Sequence, residues 1–171
     1  DQICERLQRL FVVGAQRTAA QDIEFSLSQL VEIAVRALSP GINDPFTAVR
    51  CVDRLSSSLC RLARRRMPSP YRFDAENQLR VIAPTTPFAA LLDAGFDQIR
   101  QSASANVAVT IRLLEALTQI GHFAAEGTDR NAVLGQAQMI AGAARTAGMA
   151  EGDLLDVEER YAQLVRALQR R

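Results

Sequence analysis

Apolar residues recur in steps of three and four along most of the chain, which is the spacing of amphipathic helices. The first long stripe predicts a helix from Thr18 to about Leu38, with Ile23, Leu27, Leu30, Ala34 and Leu38 facing inward. The second predicts a helix from Pro45 to about Arg66, with Ala48, Val52, Leu55, Leu59 and Leu62 facing inward. The short connection between them favours an antiparallel helical hairpin.

The same spacing predicts four more helices in the second half of the chain. Thr86, as the cap before Pro87 and Phe88, opens one that reaches about Ser102, and another runs from about Ala105 to Ala124. A third is capped by Thr128 and ends at Gly148; its inward residues are Val133, Ala137, Ile140 and Ala144. The last carries a seam of Leu154, Val157, Tyr161, Leu164 and Leu168, which is typical of core packing or of a subunit contact. A short helix is also predicted around residues 3–10.

A β-hairpin is predicted at residues 71–83. Pro68 and Pro70 end helical structure, and the short apolar stretches Tyr71–Phe73 and Leu79–Ile82 flank a polar segment. The stretch Phe11–Val13 is a candidate third strand. Taken together, the patterns indicate a mainly α fold: a bundle of six to seven helices with a small β-hairpin insertion, in a single soluble domain covering residues 1–171.

The connection Ser39–Pro45 contains residues that end one helix and begin the next. Pro40 cannot continue a helix, because it has no N–H and its ring clashes with the preceding turn. Gly41 is expected to take the positive φ that closes a helix end. Asp44 followed by Pro45 is the N-cap and first-turn pair that begins the second helix.

Composition narrows the function classes. Hydrophobic residues make up 48% of the chain and aromatic residues 5%, which favours an aliphatic helical core. The formal net charge of +1 argues against a nucleic-acid partner, although the connection at Pro40–Asp44 leaves a helix-turn-helix reading open. Cys4, Cys51 and Cys60 are predicted to be buried free thiols. No apolar run reaches the length of a membrane span.

Helix geometry separates the polar residues into two clusters, because a helix of this length spans about 30 Å at about 1.5 Å per residue. Near the connection lies a candidate ligand site of Glu32, Arg36, Ser39, Asn43, Asp44 and Thr47. The alternative for these residues is purely structural: caps and an i,i+4 ion pair. If the two helices are antiparallel, Glu32 faces the segment Arg50–Asp53.

The second cluster lies at the other end of the helical hairpin, where Asp22 is expected to face Arg61 and Arg65. A helix N-terminus beside a basic helix end suits an anion or an anionic lipid surface. The alternative is a set of solvated salt bridges. The candidate anion site consists of Arg17, Thr18, Gln21, Asp22, Arg61 and Arg65.

Signals for catalysis are weak. His122 is the single histidine and is expected to be structural, so neither a metal site nor a cofactor is predicted. The alternative to a binding domain is a metal-dependent enzyme that uses the carboxylates of Glu32 and Asp44.

Two motifs resemble a known family. They read Arg17-Thr18-x-x-Gln21-Asp22-x-x-Phe25, and Gln29-Leu30-Val31-Glu32-Ile33-Ala34-x-Arg36-Ala37-Leu38-Ser39-Pro40-Gly41-Ile42-Asn43-Asp44-Pro45-Phe46-Thr47-Ala48. This stretch of about thirty residues is similar to the signature of the bacterial predicted membrane proteins grouped as domain of unknown function 2254. The resemblance implies that the chain is the soluble C-terminal part of a longer protein with N-terminal membrane-spanning helices.

The function expected from residues and resemblance together is non-enzymatic. The chain is predicted to be an interaction, assembly or ligand-sensing domain of an integral membrane protein, at the cytoplasmic face of the bacterial inner membrane. Its expected partners are further copies of itself, the transmembrane region of the full-length protein and an anionic lipid surface.

Overall fold

The computed structural model describes residues 4–6, 22–125 and 127–169. In these ranges the long helices are α1 (Ile23–Ala37), α2 (Pro45–Ala63), α3 (Phe88–Ala103), α4 (Val107–Gly121), α5 (Thr128–Thr146) and α6 (Glu151–Gln169). The strands β1 (Tyr71–Phe73) and β2 (Leu79–Ile82) lie between α2 and α3, and residues 4–6 are also helical. The mainly α fold with a small β-hairpin is confirmed.

Short polar side chains begin three of the helices. Asp22, Asp44 and Asn106 are the N-caps of α1, α2 and α4, and each accepts a hydrogen bond from the backbone N–H three residues on, at 3.0, 3.1 and 3.2 Å. These bonds satisfy one of the N–H groups that a helix start leaves without an intrahelical partner. The described part of α1 therefore begins at Ile23, whereas the predicted start, Thr18, lies outside the described residues.

Two predicted threonine caps are wrong. Thr86 does not cap α3, because Pro87 occupies the N-cap position and the Thr86 hydroxyl instead donates to Glu24 Oε1 at 2.8 Å. Thr128 is the first residue of α5, and the N-cap is Gly127 with a φ of 80°. Glycine is suited to that position, because a Cβ disfavours positive φ.

The helices form two layers of three. One layer contains α1, α3 and α5 side by side, and the other contains α2, α4 and α6. The layers meet through α1 on α2, α4 on α5 and α5 on α6, with smaller contacts of α3 with α2 and α4. Helices that follow one another in the chain thus alternate between layers.

One mainly aliphatic core lies between these layers, and it extends from Leu27 on α1 to Leu164 on α6. The inward residues predicted for α5 are all buried. On α6, Val157 and Leu164 are buried and the other seam residues pack against the core, so the seam belongs to the core. The stripe predicted for α1 is partly wrong: Val31 and Ala37 are buried, whereas Ile23 is exposed. The buried face is shifted because α1 packs on both α2 and α3.

The β-hairpin extends from the bundle after α2. Its two strands pair antiparallel, and the bond from Ala83 N to Pro70 O, at 2.7 Å, closes its base. Every strand residue is exposed, from Tyr71 to Ile82. Among the described residues the sheet has two strands, and the candidate third strand, Phe11–Val13, lies outside them.

Candidate functional site

The backbone of the α1–α2 connection is held by its own hydrogen bonds. Helix α1 ends at Ala37, and Asp44 N donates back to Ala37 O at 2.8 Å, while Asn43 N donates to Ser39 O at 2.9 Å. The positive φ lies at Asn43 (48°) and not at Gly41, so the predicted role of Gly41 is wrong. Asparagine tolerates this conformation better than most residues. We call residues Ser39–Thr47 the turn.

Both carboxylate oxygens of Asp44 are bonded to Thr47. Oδ1 accepts from the backbone N–H at 3.1 Å, and Oδ2 accepts from the Thr47 hydroxyl at 2.6 Å. These bonds lower the pKa of Asp44 below its ordinary value, and the bond from the Thr47 hydroxyl contributes most. A carboxylate held in this way is a weak general base, and its geometry is that of a helix cap.

Glu32, Arg36 and Ser39 line a shallow groove between α1 and α3, about 640 Å³ in volume. Glu32 Oε1 and Arg36 Nη2 are 2.6 Å apart, which confirms the i,i+4 pair, and both side chains are mostly exposed. The opposite wall of the groove contains Ala94 and Gln98 of α3. The expected position of Glu32 beside Arg50–Asp53 is therefore wrong, because its side chain lies on the α3 side of α1.

The candidate ligand residues therefore separate into two groups. Glu32, Arg36 and Ser39 line the groove, whereas Asn43, Asp44 and Thr47 form the turn and do not line it. Their proximity in sequence predicted one cluster, but α1 directs the first group sideways toward α3.

Asp53 is not part of the turn and belongs to a network that the sequence analysis missed. Its Oδ1 is 2.5 Å from Arg112 Nε on α4, and Arg112 Nη1 is 3.0 Å from Glu115 Oε2. Glu115 Oε1 is in turn 3.4 Å from Arg160 Nε on α6. The network joins the three helices of one layer, and its links between helices join residues too far apart in sequence for spacing to predict them.

The opposite end of α2 forms a cleft of about 600 Å³ with the starts of α1 and α3. Its polar lining includes Asp22, Glu24, Arg65, Arg66, Thr85 and Thr86. Asp22 and Arg65 thus line the same cleft, as the antiparallel arrangement predicts. Arg61 is exposed outside it, and Arg17, Thr18 and Gln21 lie outside the described residues. Anion binding in this cleft stays a prediction.

A buried glutamine forms a second cluster that the sequence analysis missed. Gln136 on α5 is only 1% exposed, and its Nε2 donates to Asp93 Oδ1 at 2.7 Å and to Asp97 Oδ1 at 2.9 Å on α3. Arg100 Nη2 also lies 3.2 Å from Asp97 Oδ1. The sequence contains a signal for this cluster, because a glutamine interrupts the apolar stripe of α5 and two aspartates lie four residues apart on α3.

The three cysteines lie in helices, and the histidine lies at the end of one. Cys51 is buried and Cys60 half-buried, and burial raises the pKa of both thiols. Cys4 is exposed, so the prediction of burial is wrong there. His122 is the C-cap of α4, and its backbone N–H donates to the carbonyls of the last helical turn. In the described part of the chain, no three His, Cys, Asp or Glu residues are arranged to hold a metal ion.

Comparison with known proteins gives a family but no activity. The family described as predicted membrane protein (DUF2254) matches residues 1–119. Uncharacterised proteins of Mycobacterium bovis and Mycobacterium tuberculosis are 37% identical over 149 residues, which cover 87% of this chain and 29% of theirs. No solved structure is significantly similar.

The chain spans less than a third of the length of these relatives. Among the helices that the structure describes, none combines the length and hydropathy needed to cross a bilayer. The family match covers α1, α2, the β-hairpin, α3 and most of α4. The chain therefore belongs to the predicted membrane protein family DUF2254.

Proposed function

We propose that this region is a non-enzymatic assembly domain of a membrane protein, and that copies of it associate through the turn between α1 and α2. One observation carries the proposal: the turn exposes two large apolar side chains, Ile42 at 55% and Phe46 at 80%. Single exposed apolar residues are common on proteins. Two of them on one short turn are a candidate contact surface.

The hydrogen bonds of the turn support this reading. Asp44, Thr47 and the backbone of Asn43 are engaged within the turn, so these polar groups do not need a ligand to satisfy them. The same bonds hold Phe46 on a fixed backbone, and a fixed group loses little conformational freedom on binding. Identical turns meeting across a two-fold axis would bury both apolar residues of each copy.

We also propose that the domain faces the cytoplasm. The support is the run of arginines at the end of α2, namely Arg61, Arg64, Arg65 and Arg66. Segments rich in Arg near membrane spans remain on the cytoplasmic side.

Light scattering of the 171-residue chain tests the assembly proposal. The wild type is expected to have the molar mass of a dimer, and the double variant Ile42→Ser/Phe46→Ser that of a monomer with the helical content of the wild type. Leu155→Ser is the matched control, because Leu155 on α6 is 64% exposed and distant in sequence from the turn. A wild-type monomer at every concentration, or equal dimer content in all variants, would contradict the proposal.

A second candidate function, ligand sensing, is favoured by the groove between α1 and α3. Its volume is within the range of small-molecule sites, and Glu32, Arg36 and Gln98 give it groups of both charges and an amide. Such a lining suits a small zwitterion such as an amino acid. A thermal-shift screen with amino acids tests this function, because a ligand of the folded state raises the midpoint. The shift should disappear in Glu32→Gln, and absence of any shift in the wild type would exclude this class of ligand.

A further inference from the structure

The strand register gives the β-hairpin one apolar face. Tyr71 pairs with Ile82, and Phe73 pairs with Leu79 because a bulge shifts the register after Arg72. Directly opposed residues project to the same face of a sheet, and so do alternate residues of a regular strand such as β1, whereas the bulge interrupts this alternation in β2. The face therefore contains Tyr71, Phe73, Leu79 and Ile82. A regular register would have placed Arg80 opposite Phe73.

The apolar face is not covered by the bundle. Its four side chains are between 46% and 63% exposed, and the contacts of the hairpin are almost wholly between its own strands. A two-stranded sheet is marginal in water unless a hydrophobic face is packed against something. An apolar face of this kind on a small sheet is typical of a binding surface.

The end of the hairpin is held by hydrogen bonds of Asp74. Asp74 Oδ1 accepts from Glu76 N at 3.1 Å and from Gln78 N at 2.8 Å, and Asp74 Oδ2 is 2.5 Å from Arg80 Nε. The bulge leaves Arg80 without a paired residue on β1, and its side chain forms an ion pair with Asp74 at the hairpin tip. As a result, the apolar side chains are held on a defined backbone.

Positive charge is concentrated around the same hairpin. Residues 61–82 contain six arginines and two carboxylates, a formal charge of +4, whereas the whole chain carries +1. All six arginines are exposed: Arg61, Arg64, Arg65, Arg66, Arg72 and Arg80. Arg64 lies over the Phe123 ring at 3.8 Å, and Arg65 and Arg66 line the cleft where the hairpin is rooted.

We propose that the hairpin docks on an anionic lipid surface. Its apolar face would enter the boundary between headgroups and acyl chains, while the surrounding arginines pair with lipid phosphates. The charge of residues 61–82 favours this partner. Two copies of a segment with a formal charge of +4 repel each other, which disfavours contact with a second copy of the chain, whereas an anionic bilayer attracts the segment. The surface is separate from the turn, because α2 has 19 residues and spans about 28 Å between them.

A single introduced tryptophan tests the contact directly, because the chain contains no other. Tyr71→Trp should show a blue shift of its emission with vesicles of phosphatidylcholine and phosphatidylglycerol, and no shift with phosphatidylcholine alone. Leu155→Trp, on α6, should show no shift with either vesicle. A Tyr71→Trp emission that stays unchanged while the chain sediments with anionic vesicles would overturn the proposal.

Charge and apolar variants test the two parts of the contact by vesicle sedimentation. Arg65→Gln/Arg66→Gln should weaken binding about 25-fold, because each basic residue near an anionic surface strengthens it about fivefold. Phe73→Ser should weaken it about tenfold. Arg54→Gln and Leu155→Ser are the matched controls and should bind like the wild type.

Two further results would overturn the proposal. One is equal binding to neutral and anionic vesicles by all variants. The other is a change in molar mass in Phe73→Ser with unchanged vesicle binding, which would make the hairpin a protein contact. Ile42→Ser/Phe46→Ser should leave vesicle binding unchanged, so association through the turn and lipid contact through the hairpin are tested independently.

Discussion

Asp53 and Arg112 are 59 residues apart in sequence, and their Oδ1 and Nε atoms are 2.5 Å apart. The pair joins α2 to α4, and Arg112 also binds Glu115, which extends the network toward Arg160 on α6. The hydrogen bond to Asp53 is the main cause that raises the pKa of Arg112. The network links three helices of one layer, whereas the groove lies between two helices of the other layer.

We expect the Asp53–Arg112 pair to contribute modestly to stability. Its side chains are 43% and 32% exposed, and water screens the attraction between partly exposed charges. A double-mutant cycle of Asp53→Asn and Arg112→Gln, measured by urea unfolding, should give a coupling of about 1 kcal/mol or less. The exposed pair Glu32–Arg36 is the control and should couple less. A coupling of several kcal/mol would contradict the expected screening.

Gln136→Met should destabilise the fold more strongly. The side chain is buried, and the substitution removes two hydrogen bonds to the carboxylates of Asp93 and Asp97 without changing its size much. The expected loss is about 2 kcal/mol of the free energy of unfolding, because bonds to charged groups are stronger than average. Gln138→Met, at an exposed position of the same helix, should be close to neutral. Equal effects of both variants would rule out a role for the bridge.

Two helical glycines should respond differently to substitution by alanine. At Gly142 on α5 an added Cβ meets no atom within 4 Å, so Gly142→Ala should stabilise by about 0.5–1 kcal/mol through helix propensity. At Gly121 the Cβ would lie 2.6 Å from Leu168 Cδ2, so that side chain must move. Gly121→Ala should therefore gain less or lose stability. Thermal unfolding checks both variants. In a chain that also carries Leu168→Ala, Gly121→Ala should raise the unfolding midpoint, because the side chain that blocks the added Cβ is removed.

The cap at Asp44 should make stability depend on pH. Its folded pKa lies below the ordinary 3.8, so the ionised carboxylate stabilises the fold above that value. This stabilisation is lost as the pH falls through the lower folded pKa. Asp44→Ala should therefore lower the unfolding midpoint at neutral pH, and the difference from the wild type should vanish in acid.

Asp44→Asn separates the cap from the charge, because asparagine caps as well as aspartate. At neutral pH, Asp44→Asn should unfold at nearly the same midpoint as the wild type. The stabilisation that the wild type loses as the pH falls should be absent from this variant. Asp156→Ala, at an exposed position of α6, is the control. A difference between wild type and Asp44→Ala that is constant across pH would exclude the ionised cap as its origin.

Much of the fold follows from short-range patterns. The three-and-four spacing predicted the helices. The prolines at 68 and 70, followed by two short apolar stretches around a polar segment, predicted the hairpin, and its strands have the predicted bounds. The cap at Asp44 and the helix end before Gly148 depend on local chemistry and were also predicted. Errors arose where two local solutions compete: Asn43 and not Gly41 takes the positive φ of the turn, and Thr86 bonds to Glu24 instead of capping α3.

The sequence alone determined the elements, the polar turn and the concentration of arginine around the hairpin, because each depends on neighbours within about one helical turn or strand pair. Tertiary structure alone decided that Glu32 faces α3, that Asp53 meets Arg112 and that Gln136 bridges two aspartates. It also left the apolar face of the hairpin uncovered. These relationships depend on how helices of different layers pack, and packing is set by the summed shape of the whole core rather than by any local spacing.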